Sequence, residues 1–245
     1  MDQMGQLIKV GITGQGGFMG SHLYNLLGTK IEEIERISFQ RGYFENEAEL
    51  QNFVKSCDVI VHIAAMNRHE DQQVIYDTNV SLVHKLVSAC ETTNSTPKII
   101  FSSSTQEERD NLYGKSKRYG RQHLENWATN HGGKVASLII PNVFGPFGKP
   151  FYNSFIATFS HQIVQGEQPT IINDSTVNLI YINELSEAFY NEIVKQDSEN
   201  IQSYVVPHTS SRKVSEILGL LKDFKIQYLE NNQVPKVDLN TFELD

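Results

Sequence analysis

The 245-residue sequence predicts an α/β fold, a doubly wound parallel sheet followed by a small C-terminal lobe. Three observations predict it. Short apolar runs alternate with segments of helical period, the first run passes directly into a glycine-rich turn, and no repeat, low-complexity tract or Pro/Gly/Ser linker divides the chain. Strands this apolar have to be covered on both faces, as they are in parallel sheets wrapped by helices.

Leu7–Thr13 (LIKVGIT) reads as the first strand, with Met19, Leu23, Leu26 and Leu27 on one face of the following helix. Arg36–Phe39 is a second, weaker strand. Val59–Ala64 (VIVHIA) is a buried-type strand, and Val80, Val83, Leu86 and Val87 mark the helix after it. Lys98–Phe101 and Val135–Ile140 repeat the pattern around a helix through Tyr113–Ala128. Beyond Pro150 the rhythm loosens. A helix with Phe155, Ile156, Phe159 and Ile163 precedes short strands at Thr170–Ile172 and Leu179–Ile182. Two further helices carry Leu185, Ala188, Phe189 and Ile193, then Val214, Ile217, Leu218 and Leu221. No element is expected in the polar, acidic stretch Asn231–Asp245. The expected organisation is a nucleotide-binding core over 1–150 and a small substrate-binding lobe over 151–245.

Composition excludes several function classes. Hydrophobic residues at 39% and charged residues at 20% supply a core, so wholesale disorder is not expected. No apolar run approaches the ~18 residues that span a bilayer, and the N-terminus lacks a signal-peptide hydrophobic region. A soluble, cytoplasmic protein is expected, without a membrane partner. A net charge of −8 argues against nucleic acid as a partner. Cys57 and Cys90 are too few for a disulfide framework or a cysteine-rich zinc site. The histidines show no H-x-x-x-H spacing, so no catalytic metal is expected. His62, inside a strand, reads as a packed position and not as a base.

After the first strand comes Thr13-Gly14-Gln15-Gly16-Gly17-Phe18-Met19-Gly20, with Gly14, Gly17 and Gly20 at G-x-x-G-x-x-G spacing. Glycines there allow a tight turn and close approach of the backbone to a pyrophosphate, while the helix N-terminus offers free N–H groups and partial positive charge. Strand, glycine turn and amphipathic helix in that order point to a Rossmann-type sheet binding a dinucleotide. After the second strand, a carboxylate would favour the ribose hydroxyls of NAD and an arginine the 2′-phosphate of NADP. The residues are Phe39-Gln40-Arg41, with no acid before Glu45. NADPH is therefore the expected cofactor, with Arg41 on the phosphate and NAD the less favoured alternative.

The run Phe101-Ser102-Ser103-Ser104-Thr105 is followed by Tyr113-Gly114-Lys115-Ser116-Lys117. Tyr113 and Lys117 are four apart and share one helix face. A free tyrosine, with a pKa near ~10, is a poor acid–base catalyst at neutral pH. A neighbouring ammonium stabilises the phenolate, and a serine at the strand end can hydrogen-bond the same substrate oxygen.

These motifs occur in the order TGxxGxxG, Asp58-Val59-Ile60-Val61-His62-Ile63-Ala64-Ala65, SSS…YGKSK and Pro141-Asn142-Val143-Phe144-Gly145-Pro146. Together they resemble the extended short-chain dehydrogenase/reductases, the family of nucleotide-sugar epimerases, dehydratases and reductases, over roughly residues 7–225. More narrowly, Met66-Asn67-Arg68, YGKSKRYG and PNVFG…KPFYNSFIATF resemble the capsular-polysaccharide reductases of the CapF/WbjC type. That resemblance implies NADPH-dependent reduction of the 4-keto group of a UDP-linked 6-deoxy amino-hexulose in capsule or O-antigen sugar-nucleotide biosynthesis. By position, it implies Ser104 as the catalytic serine with Ser103 as fallback, Tyr113 as proton donor, and Lys117 as its tuner and holder of the nicotinamide ribose. Gly14, Gly17, Phe18 and Met19 would line the pyrophosphate, and Ala64 and Ala65 would pass beside the adenosine side of the cofactor. Asn79 would support the active-site backbone. Asn67, Arg68, Asn142 and Asn153 would face substrate, and Lys149 and Arg212 are the candidate pyrophosphate cations of the C-terminal lobe. A homodimer is implied, as is a stand-alone or truncated reductase without the cupin domain of those relatives.

Three alternatives remain open at this level. A 4,6-dehydratase would place an Asp-Glu pair directly after the serine, where Thr105 and Gln106 stand, with Glu107 and Glu108 just beyond. A 4-epimerase would retain NAD tightly. An NADP-binding redox sensor without turnover is the non-enzymatic alternative.

Overall fold

Ile8–Thr13 (β1) is apolar enough to be buried on both sides, and the main sheet grows outward from it in both directions. On one side it pairs with Ile34–Ile37 (β2), reached through the helix Phe18–Leu27 (α1). On the other it pairs with Val59–His62 (β3), reached through Glu47–Ser56 (α2). Gln72–Thr93 (α3), Lys98–Ser104 (β4), Leu112–His131 (α4) and Lys134–Ile140 (β5) continue the winding. Asn142–Phe144 (β6), Phe155–Val164 (α5), Thr176–Tyr181 (β7) and Ile182–Val194 (α6) follow. Ile201–Val205 (β8), Ser210–Lys213 (β9) and Val214–Phe224 (α7) come next, and a π-helical stretch, Lys225–Glu230, continues α7.

This computed structural model describes residues 6–196, 199–234 and 242. The chain divides into two compact units, Met1–Ile140 with Ser186–Val206, and Pro141–Leu185 with Pro207–Asp245. The first holds a six-stranded parallel sheet in the order β2-β1-β3-β4-β5-β8. The chain winds one way from β1 to β2 and the other way from β3 onward. The strand order therefore reverses between β1 and β3, and sheets of this kind bind ligands outside the strand ends at such a point. The second unit holds the three-stranded sheet β6-β7-β9, in which β9 runs antiparallel to β7.

The apolar runs form the core as expected: Ile60, Ile99, Ile100 and Leu138 are all buried completely. Four departures have physical reasons. β2 ends at Ile37, two residues early, because Phe39 drops into an aromatic cluster with Tyr43, Phe44 and Phe53. β4 continues three residues past Phe101 because Ser102, Ser103 and Ser104 pair with apolar β5, and nothing in a serine run signals a strand. No strand forms at Thr170–Ile172, where Ile172 is exposed. α2 was not anticipated, although Asn46 caps it at Glu49 N and Leu50, Phe53 and Val54 form its buried stripe.

Candidate active site and dinucleotide cradle

The glycine loop lies at the β1/β3 reversal. Gly14 adopts φ +81°, open to glycine at no steric cost, and a Cβ there would lie 2.9 Å from the backbone N of Ala64. Gly17 precedes α1 with no side-chain cap, and no acidic residue occupies the first helical turn. The first N–H groups of α1 thus keep their capacity for an anion, and the helix dipole favours one. Gln15 fastens the loop to the region after β2, its Oε1 accepting from Phe39 N at 3.2 Å. Phe18 and Met19, in the first turn of α1, and Ala64 and Ala65, just past β3, are half-buried. A cradle that a single added Cβ would obstruct, facing an uncapped helix N-terminus, fits the pyrophosphate of a dinucleotide.

The loop is braced from beneath. Thr13 Oγ1 lies 2.7 Å from His62 Nδ1, and Ala64 N donates to the same hydroxyl at 3.4 Å. His62 is fully buried and stacks on Phe101. Burial, reinforced by the charge of Lys117, pushes its pKa down to about 3, so the ring is neutral. It is a packed strand position.

β4 and α4 bring the second group together. Lys117 is buried; its Nζ donates to Ser102 O at 2.9 Å and lies 5.1 Å from the Phe101 ring centroid and 5.8 Å from that of Tyr113. Burial draws its pKa down to about 8, against the opposing pull of Glu107. The three serines are used differently. Ser102 lends its carbonyl to Lys117. The Ser103 hydroxyl is buried and donates to the carboxylate of Glu107. The Ser104 hydroxyl accepts from Gln106 N at 3.2 Å, which leaves its own proton to give.

Asn79 is buried on α3 and spends its amide on two neighbours. Its Oδ1 accepts from Met66 N at 2.7 Å, and its Nδ2 donates to Met66 O at 3.1 Å and Ser116 Oγ at 3.0 Å. Ser116 in turn donates to Tyr113 O at 2.7 Å. Asn79 therefore ties the segment after β3, with Asn67 and Arg68, to the first turn of α4. Arg41 is exposed at the start of a 3-10 turn.

In the second unit, Asn142 is exposed on β6 and donates to Asn178 O at 3.3 Å, and Asn153 is exposed before α5. The two lobe cations rest on aromatic rings, Lys149 over Tyr152 at 5.6 Å and Arg212 over Phe242 at 5.8 Å. Sequence reasoning weighed Glu107 only as a dehydratase carboxylate and missed its pairing with Ser103 and Arg121. The pattern Ser104-x-x-Glu107 was a signal, since it announces a capped helical start.

A model of the NAD dependent epimerase/dehydratase family matches residues 10–206. UDP-2-acetamido-2,6-beta-L-arabino-hexul-4-ose reductase of Pseudomonas aeruginosa is 32% identical over 220 residues, 89% of this chain and 58% of that protein. The capsular polysaccharide assembling protein CapF of Staphylococcus aureus superposes with a TM-score of 0.77 at 28% identity, over 97% of this chain and 63% of CapF. UDP-glucose 4-epimerase of Thermotoga maritima shares the fold, with a TM-score of 0.75 at 18% identity over 89% of this chain and 82% of that one. The chain thus spans less than two thirds of the length of the first two proteins. Among the described residues no helix is long and apolar enough to cross a membrane. The matched region runs from β1 through β8 and includes the cradle, the serines and the tyrosine–lysine pair: the chain belongs to the NAD dependent epimerase/dehydratase family.

Proposed function

We propose that this chain reduces the 4-keto group of a UDP-linked 6-deoxy amino-hexulose with NADPH. The observation that carries the reading is Lys117, buried next to the Tyr113 ring at the end of β4, beside a serine whose proton is unspent. The similarity to a hexulose reductase supplies the substrate class.

Gly14, Gly17, Phe18, Met19, Ala64 and Ala65 would hold the dinucleotide, with Lys117 on the nicotinamide ribose. When bound, reduced nicotinamide supplies the hydride that the carbonyl carbon accepts. Tyr113 gives its proton to the carbonyl oxygen as that oxygen gains charge, and the ammonium of Lys117 stabilises the phenolate left behind. Ser104 donates a hydrogen bond to the same oxygen; loss of one such donor costs about 10²–10³ in rate. The product is the 4-hydroxy sugar, and Tyr113 is reprotonated from solvent.

NADPH is favoured because Ser38, Phe39, Gln40 and Arg41 follow β2 without a carboxylate, and Arg41 is exposed for a 2′-phosphate. Asn67, Arg68, Asn142 and Asn153 are the residues assigned to substrate by resemblance, and the stretch after Pro150 is read as the substrate-binding lobe. A cytoplasmic homodimer completes the reading. Dehydration is disfavoured because the Glu107 carboxylate is already engaged by Ser103 and Arg121.

The test is NADPH oxidation with a UDP-4-keto-6-deoxy amino sugar. Tyr113→Phe is expected to bind NADPH as tightly as wild type and to lose nearly all turnover. Reduction at the wild-type rate by that variant overturns the tyrosine's role. NAD retained through purification, with 4-epimerisation and no net oxidation of NADPH, overturns the reductase reading in favour of an epimerase.

A further inference from the structure

Glu107 has no task in that scheme, yet it is only 5% exposed. An ionised carboxylate so deeply buried costs several kcal/mol unless its oxygens are engaged. They are engaged fully. The carboxylate accepts from the Ser103 hydroxyl and from Arg121, whose Nη2 lies 2.8 Å from Oε2 and whose Nε lies 3.2 and 3.1 Å from the two oxygens. The backbone carbonyl of Glu107 accepts from Arg118. Arg121 also reaches Glu125 at 3.1 Å.

These bonds join two pieces of the site. Glu107 lies in the 3-10 turn Thr105–Glu108, which Ser104 caps, while Arg118 and Arg121 lie on α4, the helix of Tyr113 and Lys117. Turn and helix also meet through their backbones: a Cβ on Gly114 would lie 2.0 Å from Gln106 O, so only glycine permits the approach.

We propose that Glu107 is a positioning residue, one that clamps the turn bearing Ser104 to the helix bearing Tyr113 and Lys117, holds Ser103 out of the reaction and sets a fixed negative charge near Lys117. The proposal rests on the reading of Ser104, Tyr113 and Lys117 as the catalytic group. It predicts a dependence on charge that a purely structural clamp would lack. Burial lowers the pKa of Lys117 and Glu107 raises it, with a net position of about 8. The other groups around Lys117 are the neutral ring of His62 on β3, the Phe101 ring and Ser102 carbonyl of β4, and Tyr113 on its own helix. Arg118 and Arg121, one and four residues on, are engaged by Glu107 itself.

The experiment has two readouts. The first is a ¹⁵N-lysine NMR titration of the cofactor-free protein, with the Lys117 resonance assigned through Lys117→Arg. The second is the pH profile of kcat/KM with the keto-sugar. In Glu107→Gln, which keeps an oxygen for Ser103 but no charge, the Lys117 midpoint should fall by about one pH unit, about tenfold in its ionisation constant. The alkaline limb of kcat/KM should move with it. Glu107→Asp should restore both. Ser103→Ala, which keeps the charge, should leave the midpoint in place. An unmoved midpoint in Glu107→Gln overturns the proposal, as does an equal shift in Ser103→Ala. If Glu107→Gln fails to fold, Glu107→Gln/Arg121→Gln replaces the ion pair by two amides, with the same shift expected and the same null result decisive. Absence of turnover by the wild-type protein would overturn the reductase reading, while the titration still decides the role of Glu107.

Discussion

Lys98 opens β4, and Lys117 reaches the far end of the same strand from α4. Both are buried, but their ammonium groups have different partners. Lys98 Nζ donates to the Glu192 carboxylate at 2.9 Å and to the Glu192 backbone carbonyl at 2.6 Å. Glu192 is 2% exposed and also accepts from the Tyr204 hydroxyl at 3.0 Å. Lys117 donates to a carbonyl and faces two aromatic rings, and the nearby carboxylate, Glu107, is committed to Ser103 and Arg121. The first arrangement fixes a charge inside the fold. The second keeps an ammonium under strain of burial, with its pKa drawn to about 8, where it can answer to a ligand or a phenolate. The lysine at the C-terminal end of the strand stands on the side where sheets of this kind bind ligands, and the one at the N-terminal end is held by an internal ion pair.

The largest expected effects separate the two lysines. Lys117→Met should lower turnover about 10²–10⁴-fold, the usual worth of an acid–base element, and leave the melting temperature unchanged or higher, since a buried charge is removed. Lys98→Met should do the reverse. It leaves Glu192 buried without its cation, at a cost of about 3–5 kcal/mol, while the folded fraction keeps its activity. Thermal unfolding and kcat, measured on both variants, check the contrast. A Lys98 variant that is stable but inactive would break it.

pH offers a smaller but sharper test. Folded Lys117 binds its proton more weakly than an ordinary lysine, about 8 against 10.5. The unfolded chain therefore holds the proton more tightly between these values, so the charged lysine costs stability below about pH 8. That cost fades as the pH rises toward 10.5. Under the proposed chemistry activity has the opposite sign, because a deprotonated amine would not stabilise the phenolate. kcat/KM should fall through about pH 8, approaching tenfold per unit, while this residue's contribution to stability improves. Activity and denaturant midpoints followed over pH 7–10 would show the two diverging. A parallel loss of both would mean that the alkaline limb reports unfolding and not Lys117.

The sequence made one member of this comparison visible. Lys117 announces itself because Tyr113 stands four residues before it on a helix of clear period, downstream of a serine run. Lys98 and Glu192 are 94 residues apart, and neither periodicity nor spacing brings them together. The same limit explains the other gains and losses. β1, β3 and β5 were legible because burial on both faces writes a predominantly apolar run. β9 (SSRK) was not, because a polar strand pairing along one side carries no such signal. The glycine cradle was legible because Gly14 must take a positive φ. The division of labour among Ser102, Ser103 and Ser104 was not, because three identical residues differ only in what each one touches, and Glu107 is what distinguishes Ser103.

The smallest expected effect comes from removing the structural pair entirely. Lys98→Met/Glu192→Leu eliminates both buried charges and fills the space with apolar side chains of similar length. Desolvating two ions costs several kcal/mol each, and their attraction repays this only in part, so such replacements are often neutral or stabilising. Tyr204, whose pKa is held high by burial and then by the Glu192 carboxylate, would lose that acceptor. Lys195, 3.5 Å from the same carboxylate, is 43% exposed and loses little. The double variant should therefore lie within about 1–2 kcal/mol of wild type, far above Lys98→Met alone, with unaltered kcat. Urea midpoints of the two single variants and the double variant measure this coupling. If the double variant were as unstable as Lys98→Met, the pair would be contributing a specific geometry beyond charge neutrality. If instead it lost turnover while remaining folded, the N-terminal end of β4 would have to be counted part of the catalytic apparatus, and the contrast between the two lysines would fail.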